Sequence, residues 1–520
     1  MIHKRISQYS SNLGRCLNLL FVVALMLPLA AFTPAQSPGQ AGHVQPLLIQ
    51  MAAEQPEARV TVIVQKTVKD NSIEERVTRL GGLVTDNLPI INAFAAELPA
   101  KGVIELARTP GVRAVSWDAP VVKTDCSDCT TTGNLVNTYI KAVRADKVWS
   151  SRQGQGIGVA VVDSGVNWQT DLYTNMGLNR VVANVAYNSG YNATTFDAYG
   201  HGSHTAGIIG GNGRTSSGKY IGVAPQVNII NVKVSDDLNF GYSTAKNVVQ
   251  GLQWILQNKS TFNIRVVNLS INNAVAESYQ TNPIDAAVEI LWFNGIVVVV
   301  SAGNRGSGAI YPPANDPFVI TVGAVDDRGT ASLSDDVVAP FSTFGKTTDG
   351  FSKPDLMAPG KNIISLMGNS NGSLPAGHPD NVVRVNGAAA YFRMSGTSTA
   401  APIVAGAAAL LLQDEPNLNP DQVKYRLMAT ANKDWPGYNA TKAGAGTLDV
   451  YAAVQGATTQ TANTGIYASY LLDAGNPPVS QLWGSAQWGS AQWGSAQWGS
   501  AQWGSAQWGS AQWGSDYWGP

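Results

Sequence analysis

Three segments of the 520-residue chain carry residue types that act together in nucleophilic chemistry. In Val161-Val162-Asp163-Ser164-Gly165-Val166 an acid ends an apolar run. In Gly200-His201-Gly202-Ser203-His204-Thr205-Ala206-Gly207 a histidine opens a Gly/Ala-rich stretch. In Ser395-Gly396-Thr397-Ser398-Thr399-Ala400-Ala401-Pro402 a serine sits where a glycine turn enters an apolar helix expected over 400–412. A serine hydroxyl is a weak nucleophile until a neighbouring imidazole takes its proton. The imidazole in turn needs a carboxylate on its other nitrogen, to fix its tautomer and stabilise its charged form. Glycines beside Ser398 leave the backbone open to a substrate, and a helix start aims N–H groups at developing negative charge. Each segment alone has an ordinary explanation, the serine as a helix cap for instance. Together they predict Asp163, His201 and Ser398 as a catalytic trio for acyl transfer.

The elements that must position this trio follow from hydrophobic patterning. Apolar strand-like runs at 157–162, 229–234, 266–270, 296–301 and 320–325 alternate with helical stretches such as 243–257 and 284–294. Fully apolar strands separated by helices imply a parallel α/β sheet buried on both faces. In such sheets the site lies beyond the carboxyl ends of the strands. Upstream lies a smaller pattern. Val60, Val62 and Val64 alternate with polar residues, as in a strand. Ser72 is placed to cap a helix carrying Ile73, Val77 and Leu80, stopped by Gly81-Gly82. Strands are expected at 83–88 and 91–98, a helix at 101–108 and a last strand at 112–117. The order β-α-β-β-α-β describes a small open ferredoxin-like α+β sheet covered by two helices.

With its acid, histidine and serine in that chain order, the sequence resembles the subtilisin-like serine proteases (peptidase S8). Gly222-Val223-Ala224-Pro225, Val322-Gly323-Ala324-Val325-Asp326 and Lys353-Pro354-Asp355-Leu356-Met357-Ala358-Pro359-Gly360 look like framework segments of the family. The likeness covers roughly 147–455. It implies a doubly wound parallel sheet flanked by helices, and an endopeptidase. The upstream module resembles the family's inhibitor I9-like propeptide. Ser301-Ala302-Gly303-Asn304 matches the oxyanion asparagine, so Asn304 would donate its amide alongside the Ser398 backbone N–H. His204 matches a second, structural histidine. The segment at 267–273 corresponds to the strand that pairs with substrate backbone, which assigns Ser270, Ile271 and Asn272 to substrate binding. Asn272 and Asn273 stand where the family has glycines and are expected to narrow the pocket rim. Thr399 replaces a common methionine. Arg305 follows at the rim of the first specificity pocket, where its charge should repel Lys or Arg, and Ile310 is expected at the pocket floor.

The resemblance divides the chain into a signal peptide (1–35), a linker (36–57), a propeptide (58–122), a catalytic domain (123–460), a second linker (461–480) and a repeat tail (481–520). Self-cleavage is expected between Val121 and Asp125, and a monomer is expected. Lys4, Arg5 and Arg15 flank an uncharged apolar run at 17–32, a stretch short for a membrane span, so the protein is expected to be secreted. Cys126 and Cys129 lack further zinc ligands nearby; a local disulfide and free thiols both remain open. The family often binds structural calcium, but no calcium loop is recognisable and no catalytic cofactor is implied. The formal net charge of -1, without a basic block, disfavours nucleic acid. In the tail Trp483, Trp488, Trp493, Trp498, Trp503, Trp508, Trp513 and Trp518 recur every five residues in a Gly-Ser-Ala-Gln background. Aromatic faces can stack on sugar rings, so the partners expected are protein or peptide substrates, the chain's own propeptide, and a cell-wall or polysaccharide contact through the tail. The alternative is a surface- or glycan-binding protein with an inactive protease fold.

Overall fold

The computed structural model describes residues 42–123, 138–188, 194–235 and 243–472. The signal segment, Cys126, Cys129 and the tryptophan repeats lie outside them.

The N-terminal module begins earlier than the sequence pattern implied. The segment expected as a linker contains β1 (His43–Val44) and helix α1 (Pro46–Glu54). The expected elements follow as β2 (Arg59–Lys66), α2 (Ser72–Arg79), β3 (Leu83–Leu88), β4 (Ala93–Pro99), α3 (Ala100–Ala107) and β5 (Val112–Trp117). Strand order is β1-β5-β2-β4-β3, antiparallel except for β1 on β5. Ser72 is not the cap of α2: Asn71 holds that position, and Asp70 Oδ1 accepts from the Ser72 N–H (3.0 Å) and hydroxyl (2.5 Å). A carboxylate two residues upstream is the stronger acceptor and takes the serine out of the capping role. One face of the sheet buries Val62, Val64, Phe94 and Val115 with Leu48 of α1, Val77 of α2 and Val103 of α3.

The larger domain is built on seven parallel strands. These are β7 (Gly158–Asp163), β8 (Val181–Ala186), β9 (Asn228–Lys233), β10 (Ile264–Leu269), β12 (Val297–Ser301), β13 (Ile320–Asp326) and β14 (Leu356–Pro359), in the order β8-β9-β7-β10-β12-β13-β14. The short β11 (Ile271–Asn273) leaves the end of β10 and joins a separate small sheet. Helices α4 (His201–Gly210), α5 (Ala245–Asn258), α6 (Pro283–Phe293) and α7 (Thr397–Asp414) flank the large sheet. The runs Val-Val-Val-Val-Ser in β12 and Ile-Thr-Val-Gly-Ala-Val-Asp in β13 are buried along their whole length, as a sheet covered on both sides requires. β8 and β14 were not anticipated. β8 carries two exposed residues at an edge, and β14 is a four-residue strand ending in proline, so neither shows a clear apolar run. α7 is buried from Thr397 to Leu412 and packs on β10, β12, β13, β14 and α4. Each fully buried Val, Leu or Ile there is worth roughly 1.5–3 kcal/mol.

The two modules share one apolar core. Ile63, Leu88, Ile91, Ala93, Ala95 and Ala114 of the N-terminal sheet are continuous with residues of α5 and α6. Polar contacts fix the angle. Asp118 Oδ1 accepts the Lys246 N–H at the start of α5 (2.7 Å), and Asp86 pairs with the Lys246 ammonium (2.7 Å). Carboxylates at a helix N-terminus meet its positive end. Gln45 Nε2 donates to Glu277 (2.7 Å), whose other oxygen accepts from Asn282 (2.6 Å). The segment 461–472, expected within a second linker, is also folded down, with Ala468, Ser469 and Leu471 buried.

Burial raises Glu277 from 4.5 to about 7. The folded state therefore binds more protons at this site between those values, and stability contributed there is lost as pH rises through the window. We expect the Tm of the uncut precursor minus that of its Glu277→Gln variant to fall from about pH 4.5 to about pH 7 and to level off above. A difference independent of pH, in thermal unfolding followed by circular dichroism, would contradict this assignment.

Candidate active site

Asp163 is the last residue of β7, at the place where the sheet order turns: β9 lies on one side of β7 and β10 on the other. Crevices form at such switch points beyond the strand ends. His201 is the first residue of α4, and its Nδ1 lies 2.8 Å from each oxygen of Asp163. Both residues are out of contact with solvent. A carboxylate accepts, so Nδ1 carries the hydrogen and Nε2 is left as the acceptor.

Ser398 sits in the first turn of α7, which packs against α4. Among the described residues neither the Ser398 hydroxyl nor His201 Nε2 has a hydrogen-bond partner, although both atoms are buried. Unpaired buried polar atoms are costly, and a site built only for stability would pair or replace them. Ser270, assigned to substrate by its sequence position, instead donates its hydroxyl to the Ser398 carbonyl (3.0 Å) and accepts from Asn268 Nδ2 (2.9 Å). Its side chain braces the start of α7.

Asn304 is half-buried in the loop after β12. Its Oδ1 accepts from Thr397 N (2.9 Å) and Thr397 Oγ1 (3.0 Å), which orients the amide nitrogen as the donating end. Thr397 Oγ1 also accepts the Gly303 N–H (3.0 Å). One hydroxyl thus ties the Asn304 loop to the residue before Ser398.

The rim expectations need correction. Asn272 is on β11, an end strand of its small sheet that the strand Pro120–Lys123 covers. Its side chain is fully buried and donates to the Ser301 carbonyl (3.1 Å), tying β11 to the end of β12. Asn273 is also buried. A buried amide finds its partner in a neighbouring strand end, which no local pattern reveals. Arg305 is exposed and lies over the Tyr311 ring, 3.9 Å from its centroid, a cation–π contact. Ile310 is buried. Thr399 donates its hydroxyl to the carbonyls of Gly396 (2.8 Å) and Gly360 (3.1 Å).

A slot beside these residues holds backbone. β6 (Pro120–Lys123), at the end of the N-terminal module, pairs antiparallel with β11, with Lys123 opposite Ile271, Val122 opposite Asn272 and Val121 opposite Asn273. On its other side Val121 and Pro120 pair with Ser243 and Thr244.

Two supports escaped the sequence reading. Asp197 is fully buried and accepts from Ser164 Oγ (2.8 Å), Gly200 N (2.7 Å) and Ser203 N (2.8 Å). It fastens the residue after Asp163 to the turn that carries His201. Thr397 fastens Asn304. An acid four residues before a histidine was the available signal. His204 is held at about 3 by burial and is neutral; its Nε2–H donates to the carbonyls of Phe392 (3.0 Å) and Ile363 (3.3 Å). That is a structural role. Among the described residues no group of three or more His, Cys, Asp or Glu side chains is placed to hold a metal ion. No helix among them is long and apolar enough to cross a membrane.

The subtilase family profile matches residues 154–453. The chain belongs to the subtilase family. It is a subtilisin-like serine endopeptidase, as its relatives are. It is 38% identical over 333 residues to serine protease AprX of Bacillus subtilis (strain 168), covering 62% of this chain and 72% of that one. It is 31% identical over 393 residues to subtilisin E of the same strain, covering 73% and 85%. Among solved structures it is similar to fervidolysin from Fervidobacterium pennivorans, described as a keratinolytic enzyme related to subtilisin. The TM-score is 0.61 at 26% identity, over 82% of this chain and 64% of that one.

Asp197→Asn turns one accepting oxygen into a donor facing N–H groups. We expect kcat to fall roughly tenfold, the cost of a lost charge-assisted bond in a buried network, with KM little changed. An unchanged kcat in steady-state peptide hydrolysis would show that Asp197 does not position His201.

Proposed function

We propose that the protein is a secreted endopeptidase made as a self-processing precursor, with Asp163, His201 and Ser398 as its triad. The observation that carries this is the His201 imidazole, gripped through Nδ1 by Asp163, with a buried Nε2 that has no partner among the described residues, on a helix packed against the one that carries the likewise unpartnered Ser398 hydroxyl. Nε2 takes the Ser398 proton as Oγ attacks the scissile carbonyl, and Asp163 stabilises the imidazolium that forms. The carbonyl oxygen becomes an oxyanion held by the Asn304 amide and the Ser398 N–H. His201 then returns the proton to the leaving amine, and water repeats the sequence to release the acid. Catalysis on this reading needs no cofactor.

The N-terminal module is, on this reading, the propeptide. Its last strand lies between β11 and Ser243–Thr244 as an extended peptide would, by strand addition. Self-cleavage falls between Val121 and Asp125. Protein and peptide substrates would then take the vacated slot, with Ile271 and Asn272 offering backbone and Arg305 disfavouring basic side chains before the cut. The signal segment directs export, and the tryptophan repeats are read as a contact to cell-wall or other polysaccharide, carried by a monomer.

Ser398→Ala should accumulate as an uncut precursor in a protease-deficient host, seen as one band at full precursor mass. Normal processing of that variant would place the cut in another enzyme's hands. Asn304→Ala should lower kcat by about 10²–10³-fold with little change in KM, the range found for such a donor in a subtilisin. An effect confined to KM would make Asn304 a ground-state binding residue.

A further inference from the structure

The stretch from Ile466 to Leu472 touches both modules at once. On the catalytic side, the Ser469 N–H donates to Glu289 (2.8 Å) and its hydroxyl donates to the Gln280 carbonyl (2.9 Å). The Tyr279 hydroxyl donates to the Tyr467 carbonyl (2.8 Å). On the N-terminal side, Arg113 of β5 donates to the Tyr470 carbonyl (2.9 Å), and Gln65 of β2 donates to the Leu471 carbonyl. Gln65 is buried, as are Ala468 and Leu471, and all belong to or border the apolar core that contains Ile63, Ala93 and Ala114. Upstream, Asn463 Nδ2 donates to Asp421 (2.7 Å) and to the Phe318 carbonyl (3.1 Å), so the stretch is anchored on the catalytic domain before it reaches the other module.

We propose that residues 466–472 form a second propeptide-binding surface, a strap that retains the propeptide after its bond to the catalytic domain is cut. This rests on the processing reading above. The cut frees the covalent link near residue 124, but leaves Gln65 and Arg113 hydrogen-bonded to the strap, 406 and 357 positions further along the sequence. Release must break these contacts and bare Leu471. Linkage makes the effect reciprocal: the propeptide also holds down the root of the tryptophan tail until it departs.

The contacts on the propeptide side make a clean test, because Gln65 and Arg113 leave with the propeptide and the mature enzyme is the same molecule in every variant. The full-length precursor carrying Gln65→Ala and Arg113→Ala should self-cleave normally and show a lag before peptide hydrolysis shortened roughly tenfold, from the loss of two hydrogen bonds. Less cleaved propeptide should co-elute with the enzyme on size exclusion. Ending the chain after Gly465 should shorten the lag similarly, and ending it after Leu472 should not. In the chain ending at Gly465 the two substitutions should add nothing further. An unchanged lag in the double variant, or an equal effect of the substitutions with and without the strap, would overturn the proposal. Should no variant cut itself, the processing reading fails instead. The strap is then judged by hydrogen exchange in the uncut chains: the substitutions should speed exchange over 466–472 roughly tenfold, and no change there would overturn it.

Discussion

Two stretches of backbone meet between Asp163 and His201 with no room for a side chain. A Cβ on Gly202 would lie 2.1 Å from the Gly165 carbonyl oxygen, and Gly165 itself has φ +112, in the region that favours glycine. Only because these residues are glycines can the first turn of α4 sit against the exit of β7. That contact sets the imidazole on the carboxylate. Asp197 then locks the arrangement from the side by accepting from Ser164, Gly200 and Ser203. Helix α7 packs against α4 and so against this fixed pair.

The same logic of close supports recurs at Ser398. Thr397 holds Asn304 by two bonds and Gly303 by a third, while Ser270 holds the Ser398 carbonyl. Further in, Glu289 lies near Asp316 in the core, and burial, then the Asp316 charge, push Glu289 well above its ordinary value. A neutral Glu289 lets the two carboxyl groups coexist, while Lys353 and Lys424 favour the charge on Asp316. Glu289 accepts the Ser469 N–H, which joins the core to the C-terminal stretch by a hydrogen bond rather than a charge pair.

The large strands and helices were legible in the sequence because buried parallel strands are uniformly apolar. β12 and β13 begin within a residue of where the pattern put them and end there or one residue later. The site residues stood out for a different reason: glycine, histidine and serine clusters are rare within such apolar runs. What stayed hidden depends on contacts distant in sequence. Nothing local marks Asn272 as a tie to Ser301, or Asp197 as the brace between Ser164 and the turn at Gly200. The segments at 43–54 and 461–472 looked like linkers because their polar residues, Gln45 and Ser469, find partners only in the folded assembly. β8 and β14 were missed because an edge strand and a four-residue strand carry too little alternation to read.

The slot filled by β6 is bordered by strands on both sides and is lined with main-chain donors and acceptors. Such a groove measures straightness before it measures sequence. A peptide can lie there only if several consecutive residues are drawn out and freed from their own helix or sheet. For a folded protein that freedom exists in loops, frayed ends and briefly opened segments. With the slot taken as the substrate's, as proposed above, the rate at which this enzyme cuts a folded target is governed largely by how often the target opens locally, and the enzyme becomes a gauge of another protein's stability.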